Sequence, residues 1–182
     1  MKIVFERLPR NNNPIPAYAT QGSAAFDLST CLRRSCRQFL AGRGTINFRC
    51  TTDGGRRDSD EEGNLREIGN CDTPVLRINP GEIILIPTGF KTSFVNAVLK
   101  IYVRSSISLD GLQLANNVGI IDSDYRGELF LAFKNTTDKV KNIPDNYRMA
   151  QGILEPLEQC IIEEGTVDIT VRGTGGFGST NE

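Results

Sequence analysis

An all-β sandwich or barrel is the fold class this sequence predicts, and three observations predict it. Short runs of β-branched and aromatic residues recur along the chain, separated by Gly, Pro, Asn and Asp clusters. Residues 128–134 alternate as a half-buried strand does, with Leu129, Leu131 and Phe133 on one face. Nothing sustains helical periodicity over three turns, so no long helix is expected.

Taken in order, residues 2–8 alternate weakly and form a first strand. Residues 9–14 are turn chemistry, and Pro14 with Pro16 forces extended backbone. Residues 24–29 are a short apolar strand. Pro80 and Gly81 open a strand at 82–86, which Pro87, Thr88 and Gly89 close. Residues 97–104 form the next. Val118, Ile120 and Ile121 then deliver the chain to Asp122, and Ser123 and Asp124 turn it. Tyr125, Arg126 and Gly127 follow, and a strand at 128–135 returns, which is the pattern of a β-hairpin with an Asp-rich turn. Strands at 153–162 and 167–171 complete the set.

Between Cys31 and Val75 this pattern fails. Seven arginines from Arg33 to Arg57 run into Asp58, Asp60, Glu61 and Glu62, and the only large apolar residues from Thr51 to Thr73 are Leu65 and Ile68. Such a piece cannot build its own core, so residues 31–75 are expected to be an exposed hairpin or loop. Cys31, Cys36, Cys50 and Cys71 fall in or beside it. Zinc sites usually hold two close pairs, and here only Cys31 and Cys36 are close, so free thiols are the expectation.

At 182 residues the chain suits one domain with a real core. A net charge of -1 gives no basic field for nucleic acid or an anionic membrane, so any bound phosphate must be met by local groups. No apolar run approaches a membrane span and the N-terminus lacks a signal-peptide pattern. The odd count of five cysteines fits a reduced cytoplasmic protein, or a host's cytoplasm if the source is viral. With no histidine, Ser-His and Cys-His nucleophiles and His-ligated zinc are excluded. Any catalysis must then rest on carboxylates, a bound cation and oriented donors.

Residues 116–128 (Asn-Asn-Val-Gly-Ile-Ile-Asp-Ser-Asp-Tyr-Arg-Gly-Glu) resemble the third motif of the trimeric dUTP pyrophosphatases, the dUTPases. Residues 14–28 are similar to the family's first motif, with Ala25 where glycine is usual. Arg104-Ser105-Ser106 resembles the second and residues 147–151 the fourth. Residues 172–180 match the glycine-rich fifth, with Asn181 where glycine is common. The five motifs stand in the family's order over most of the chain. Family members usually pass from the first motif to the equivalent of Pro80-Gly81-Glu82 in a shorter span, so residues 31–75 are read as an insertion.

That resemblance implies a jelly-roll β domain at 1–171 and a C-terminal arm at 172–182 that closes over an active site. It implies a homotrimer with sites shared between subunits, and dUTP hydrolysed to dUMP and pyrophosphate. Asp122 matches the family's catalytic aspartate, whose role is to activate water; the alternative for it is a turn-capping aspartate. Asn116, Gly119, Ile120, Ile121 and Asp122 match the hairpin that reads uracil through its backbone, and Tyr125 the ring under the deoxyribose. Arg104, Ser105, Ser106 and Gln151 are the candidate phosphate donors. Arg172, Phe177, Gly178, Ser179 and Thr180 belong to the arm, with Phe177 stacking on the base. Mg²⁺ is expected on substrate phosphates and water. Asp27 either touches the cation's water shell or pairs with an arginine.

Two rivals share the fold. A dCTP deaminase carries a catalytic glutamate in a Leu-Glu-Phe step, which here reads Leu131-Ala132-Phe133 and lacks the acid. A regulatory binding protein would act through an unidentified partner at residues 31–75, where basic and acidic segments are separated.

Overall fold

Alternating side chains and frequent turn residues commit nearly all regular backbone to strands. The computed structural model describes residues 1–34, 36–40, 44–50, 56–58 and 74–176. In chain order the first strands are β1 (Val4–Arg7), β2 (Phe26–Ser29), β3 (Cys36–Leu40), β4 (Gly44–Cys50), β5 (Arg56–Asp58), β6 (Val75–Ile78), β7 (Ile83–Pro87), β8 (Phe90–Ser93) and β9 (Ala97–Val103). A short helix α1 (Ser105–Leu109) follows. The chain then forms β10 (Leu112–Leu114), β11 (Gly119–Ile121), β12 (Phe130–Asn135), β13 (Lys141–Pro144) and β14 (Arg148–Pro156).

Two main sheets result. One has the order β10-β12-β7-β3-β4-β5 and the other β11-β9-β14-β2, while β1-β8 and β13-β6 are two-stranded. Phe26, Leu28, Leu99 and Ile101 of the second sheet pack in one buried cluster with Ile84, Ile86, Leu131 and Phe133 of the first. Alternation is what allows this, because each strand offers the cluster one face. Gly152 leaves room for the ring of its cross-strand partner Phe26, to which a Cβ there would stand 2.6 Å. No helix among the described residues is long and apolar enough to cross a membrane.

Five of the expected strands are present within two residues of their expected ends, and Leu129, Leu131 and Phe133 are buried together. Three expectations need correction. The strand expected at 153–162 begins at Arg148 and ends at Pro156. Residues 167–171 are not a strand, and Val167, Ile169 and Val171 are fully exposed there. β-Branched alternation makes a strand only beside an edge that pairs with it, and no described strand pairs with residues 167–171.

The third correction concerns the hairpin. β11 pairs with β9 (Gly119↔Ile101 to Ile121↔Leu99), and β12 pairs with β7 and β10. The two flanks of the Asp122 turn therefore belong to different sheets. The turn residues signal a reversal of the chain, but long-range pairing chooses each strand's partner.

The 31–75 segment is fastened more tightly than an exposed loop. β3 and β4 do form an antiparallel hairpin, extended by β5. However, β3 also pairs with β7 (Arg37↔Leu85, Gln38↔Ile84) and so continues the six-stranded sheet. Asp145 accepts the Leu32 N–H at 2.7 Å and Arg33 Nε at 3.1 Å, and its own N–H donates to the Pro74 carbonyl at 3.2 Å. Both ends of the segment thus meet at one residue. Arg34 forms a second ion pair, with Glu128. Leu65, Ile68 and Cys71 lie outside the described residues.

Cys31 is fully buried, and burial first, then the Asp145 carboxylate, pushes its thiol up to about 12. It is a protonated core residue, not a metal-ready thiolate. No cluster of three or more metal-ligating side chains occurs among the described residues.

These roots separate two deletions. Replacing residues 36–73 by a short Gly/Ser turn is expected to leave a cooperatively folding protein. A replacement starting at Arg33 strips the cations from Asp145 and Glu128, and leaving such carboxylates unpaired costs a few kcal/mol. Thermal unfolding followed by circular dichroism checks both, and equal midpoints would show that the two ion pairs contribute nothing.

Candidate active site

The corner after β11 holds the carboxylate expected to act as a base. Its reversal is closed by the backbone, with the Tyr125 N–H donating to the Asp122 carbonyl at 3.2 Å. Arg126 Nη1 adds bonds to the carbonyls of Ser123 (2.7 Å) and Tyr125 (3.0 Å). Asp122 is exposed, and its carboxylate accepts no hydrogen bond from the described residues. A capping aspartate would spend its oxygens on local N–H groups; Asp122 keeps both for solvent or a ligand.

β11 is the edge strand of its sheet, so one row of its N–H and C=O groups faces away from β9. An edge strand presents donors and acceptors at fixed spacing, as a paired base would. Asn116 and Asn117 make the approach turn, where Asn117 adopts a left-handed φ of 57°. Gly119 is buried against Ile101, where a Cβ would come to 3.2 Å of its side chain. Ile120 is 55% exposed. Tyr125 folds its ring over Gly127 and donates its hydroxyl to the Glu128 carbonyl at 2.9 Å.

A second cluster forms at the far end of the same sheet. Asp27, Gln151 and Tyr102 lie in one cross-strand row, because Gln151 is paired with both of the others. Arg104, which follows β9, places Nε 3.0 Å from one Asp27 oxygen, and Arg148 Nη1 is 3.0 Å from the other. Gln151 Nε2 reaches the Val103 carbonyl at 3.4 Å. Ser105 and Ser106 are exposed on the first turn of α1. Two guanidiniums about one carboxylate leave a net positive, part-exposed site with several N–H and O–H donors, suited to phosphate oxygens. Of the two expectations for Asp27, pairing with arginine is what occurs. Arg148 stands in the fourth motif, but only the pairing reveals its role: it lies opposite Ser29, two residues beyond Asp27 on β2.

The two clusters do not meet. Ile121 is opposite Leu99, so Asp122 falls beside Val98, while Arg104 lies beyond Val103 at the other end of β9. Six residues of strand at about 3.3 Å each separate them by roughly 20 Å. A cleft of about 220 Å³ adjoins Asp27 and Arg148, lined by Pro14, Tyr18 and Phe90 among others, and none of its residues comes from the Asp122 corner. Arg172 sits on an exposed turn, its Nε bonded to the Gly175 carbonyl at 3.0 Å. Phe177, Gly178, Ser179 and Thr180 lie outside the described residues.

A family model for dUTPase matches residues 75–181. A deoxyuridine 5'-triphosphate nucleotidohydrolase of Acinetobacter baylyi is 31% identical over 189 aligned positions, covering all of this chain and 97% of that one. A Desulfitobacterium hafniense protein of the same name is 42% identical over 111 positions, 58% of this chain and 72% of that one. Among solved structures, a dUTPase from Streptococcus mutans superposes with a TM-score of 0.58 at 25% identity, over 88% of this chain and 98% of that one. A Staphylococcus bacteriophage 80alpha dUTPase, solved with dUPNHPP, reaches 0.65 at 16% identity over 100% and 99% of the two chains, a likeness of fold alone. The fold is thus the β jelly roll of these neighbours.

Proposed function

From the premise that this chain belongs to the dUTPase family and hydrolyses dUTP to dUMP and pyrophosphate, we propose that Asp122 is the general base. Its free, exposed carboxylate takes a proton from the water that attacks the α-phosphorus. The bond from that phosphorus to the bridging oxygen breaks, and pyrophosphate leaves. Arg104, Ser105, Ser106 and Gln151 donate to phosphate oxygens and take up developing charge. The open edge of β11 reads uracil, and Tyr125 lies against the deoxyribose, leaving no room for a 2′-hydroxyl. The arm at 172–182 closes over the site with Arg172, Phe177, Gly178, Ser179 and Thr180.

Mg²⁺ fits this donor set as a cation carried by the substrate, since the phosphate cluster offers one carboxylate, Asp27, already held by two arginines. It would be held mainly by phosphate oxygens and water, with Asp27 the carboxylate that would face its water shell, and would offset substrate charge.

One observation carries the proposed assembly: base and phosphate donors are roughly 20 Å apart along β9 of a single chain. That separation supports a homotrimer in which Asp122 of one subunit works with Arg104 and Gln151 of another. Cys31 and Cys160 are free thiols, which supports a reducing, cytoplasmic setting. A protein partner at residues 31–75 is favoured by one feature: β5 ends the six-stranded sheet, where an added strand could pair.

Pyrophosphate release from dUTP, UTP, dCTP and dTTP in parallel tests the pocket. dUTP should be hydrolysed far faster than UTP, and EDTA should abolish turnover until Mg²⁺ is restored. Equal rates on dUTP and UTP would remove Tyr125 from its assigned place.

A further inference from the structure

Arg34 lies outside every motif, where the chain leaves the first motif for the 31–75 segment. Its guanidinium grips Glu128 with both prongs, Nε to Oε1 at 2.7 Å and Nη2 to Oε2 at 2.9 Å. Nη1 donates to the Pro9 carbonyl at 2.7 Å, so all three nitrogens are committed and the head is fixed. The Glu128 carboxylate also accepts the Gly89 N–H at 3.0 Å. The main-chain carbonyl of the same Glu128 holds the Tyr125 hydroxyl at 2.9 Å. The ring lies so close over Gly127 that a Cβ there would stand 2.3 Å from that hydroxyl. A continuous run of polar contacts therefore joins the root of the 31–75 segment to the Tyr125 ring.

We propose that Arg34 is a positioning residue for sugar discrimination: by holding Glu128 it fixes the carbonyl that pins Tyr125. This rests on the placement of Tyr125 against the deoxyribose given above. A ring can exclude a 2′-hydroxyl only if it is held, and a ring free to swing leaves space for one. Lysine cannot replace the fork, because an ammonium offers a point charge without two parallel donors.

The test compares kcat/KM for dUTP and UTP in Arg34→Lys, Arg34→Ala, Tyr125→Phe and Tyr125→Ala proteins, and in Arg34→Lys combined with Tyr125→Phe. Arg34→Lys keeps the charge, so it reports even if Arg34→Ala does not fold. Each Arg34 variant should lower the dUTP-to-UTP preference by about fivefold, the factor that the net contribution of one hydrogen bond carries. The gain should appear mainly as faster use of UTP. Tyr125→Phe should lower the preference similarly, and adding Arg34→Lys to it should change nothing further, since the tether is already cut. An unchanged preference in folded Arg34→Lys, or additive effects in the double variant, would overturn the proposal. A purely structural Arg34 would lower the melting temperature and leave the preference alone. If Tyr125→Ala narrows the preference and Arg34→Lys does not, only the role of Arg34 falls. If Tyr125→Ala leaves it unchanged, the sugar reading falls and the proposal with it.

Discussion

Asp122→Asn is expected to reduce dUTP turnover by roughly 10²–10⁴, the range that loss of a general base produces. The amide keeps the carboxylate's shape but cannot accept the proton from water. The Asp122 carboxylate accepts no hydrogen bond from the described residues, so the corner should hold its conformation: its reversal depends on the Tyr125 N–H, which bonds the Asp122 main-chain carbonyl, and on Arg126. Substrate affinity should survive, because the groups assigned to uracil belong to the β11 backbone and those assigned to phosphate lie elsewhere. Steady-state kinetics with a separate binding measurement, using a non-hydrolysable dUTP analogue, checks both halves. Near-normal turnover would remove Asp122 from the chemistry. Lost binding would mean that it holds the substrate.

Mixing two inactive variants should restore activity if the site is shared. Asp122→Asn lacks the base and Arg104→Ala lacks a phosphate donor, and each homotrimer should be nearly inactive. Where a site draws Asp122 from one subunit and Arg104 from another, random equal mixing leaves about a quarter of the sites intact, half times half. A site drawn wholly from one chain leaves none. The roughly 20 Å between these residues along β9 predicts recovery. The two proteins would be unfolded together, refolded and assayed for pyrophosphate release. A third protein, ending at Val171 with Asp122 intact, extends the test to the arm when mixed with Asp122→Asn. No recovery, with mixed trimers demonstrated, would refute sharing.

Residues 116–128 show how far a sequence carries. Its turn chemistry and the alternation of Leu129, Leu131 and Phe133 were legible because both arise from local geometry: a reversal needs turn residues, and a strand shows its core face every second residue. The partner of β11 was not legible, since pairing with β9 is a long-range choice and three residues are too few to encode it. Residues 167–171 are the opposite case, with a strand's composition but no strand paired with them. In the sequence Arg33 and Arg34 are only part of a basic run, although each ends on a carboxylate about a hundred residues away. Nothing within the run itself distinguishes an anchoring arginine from a solvated one.

The sequence by itself determined the all-β class, the absence of histidine chemistry and the identity of the motif residues, because composition and short spacings are local properties of the chain. Only the tertiary structure decided which motifs share a sheet end, that both oxygens of Asp27 are held by arginines, and that Asp122 stands far from the donors proposed to work with it. The physical reason is that sheet register sets distances across the fold, and register depends on the pairing of strands remote in sequence.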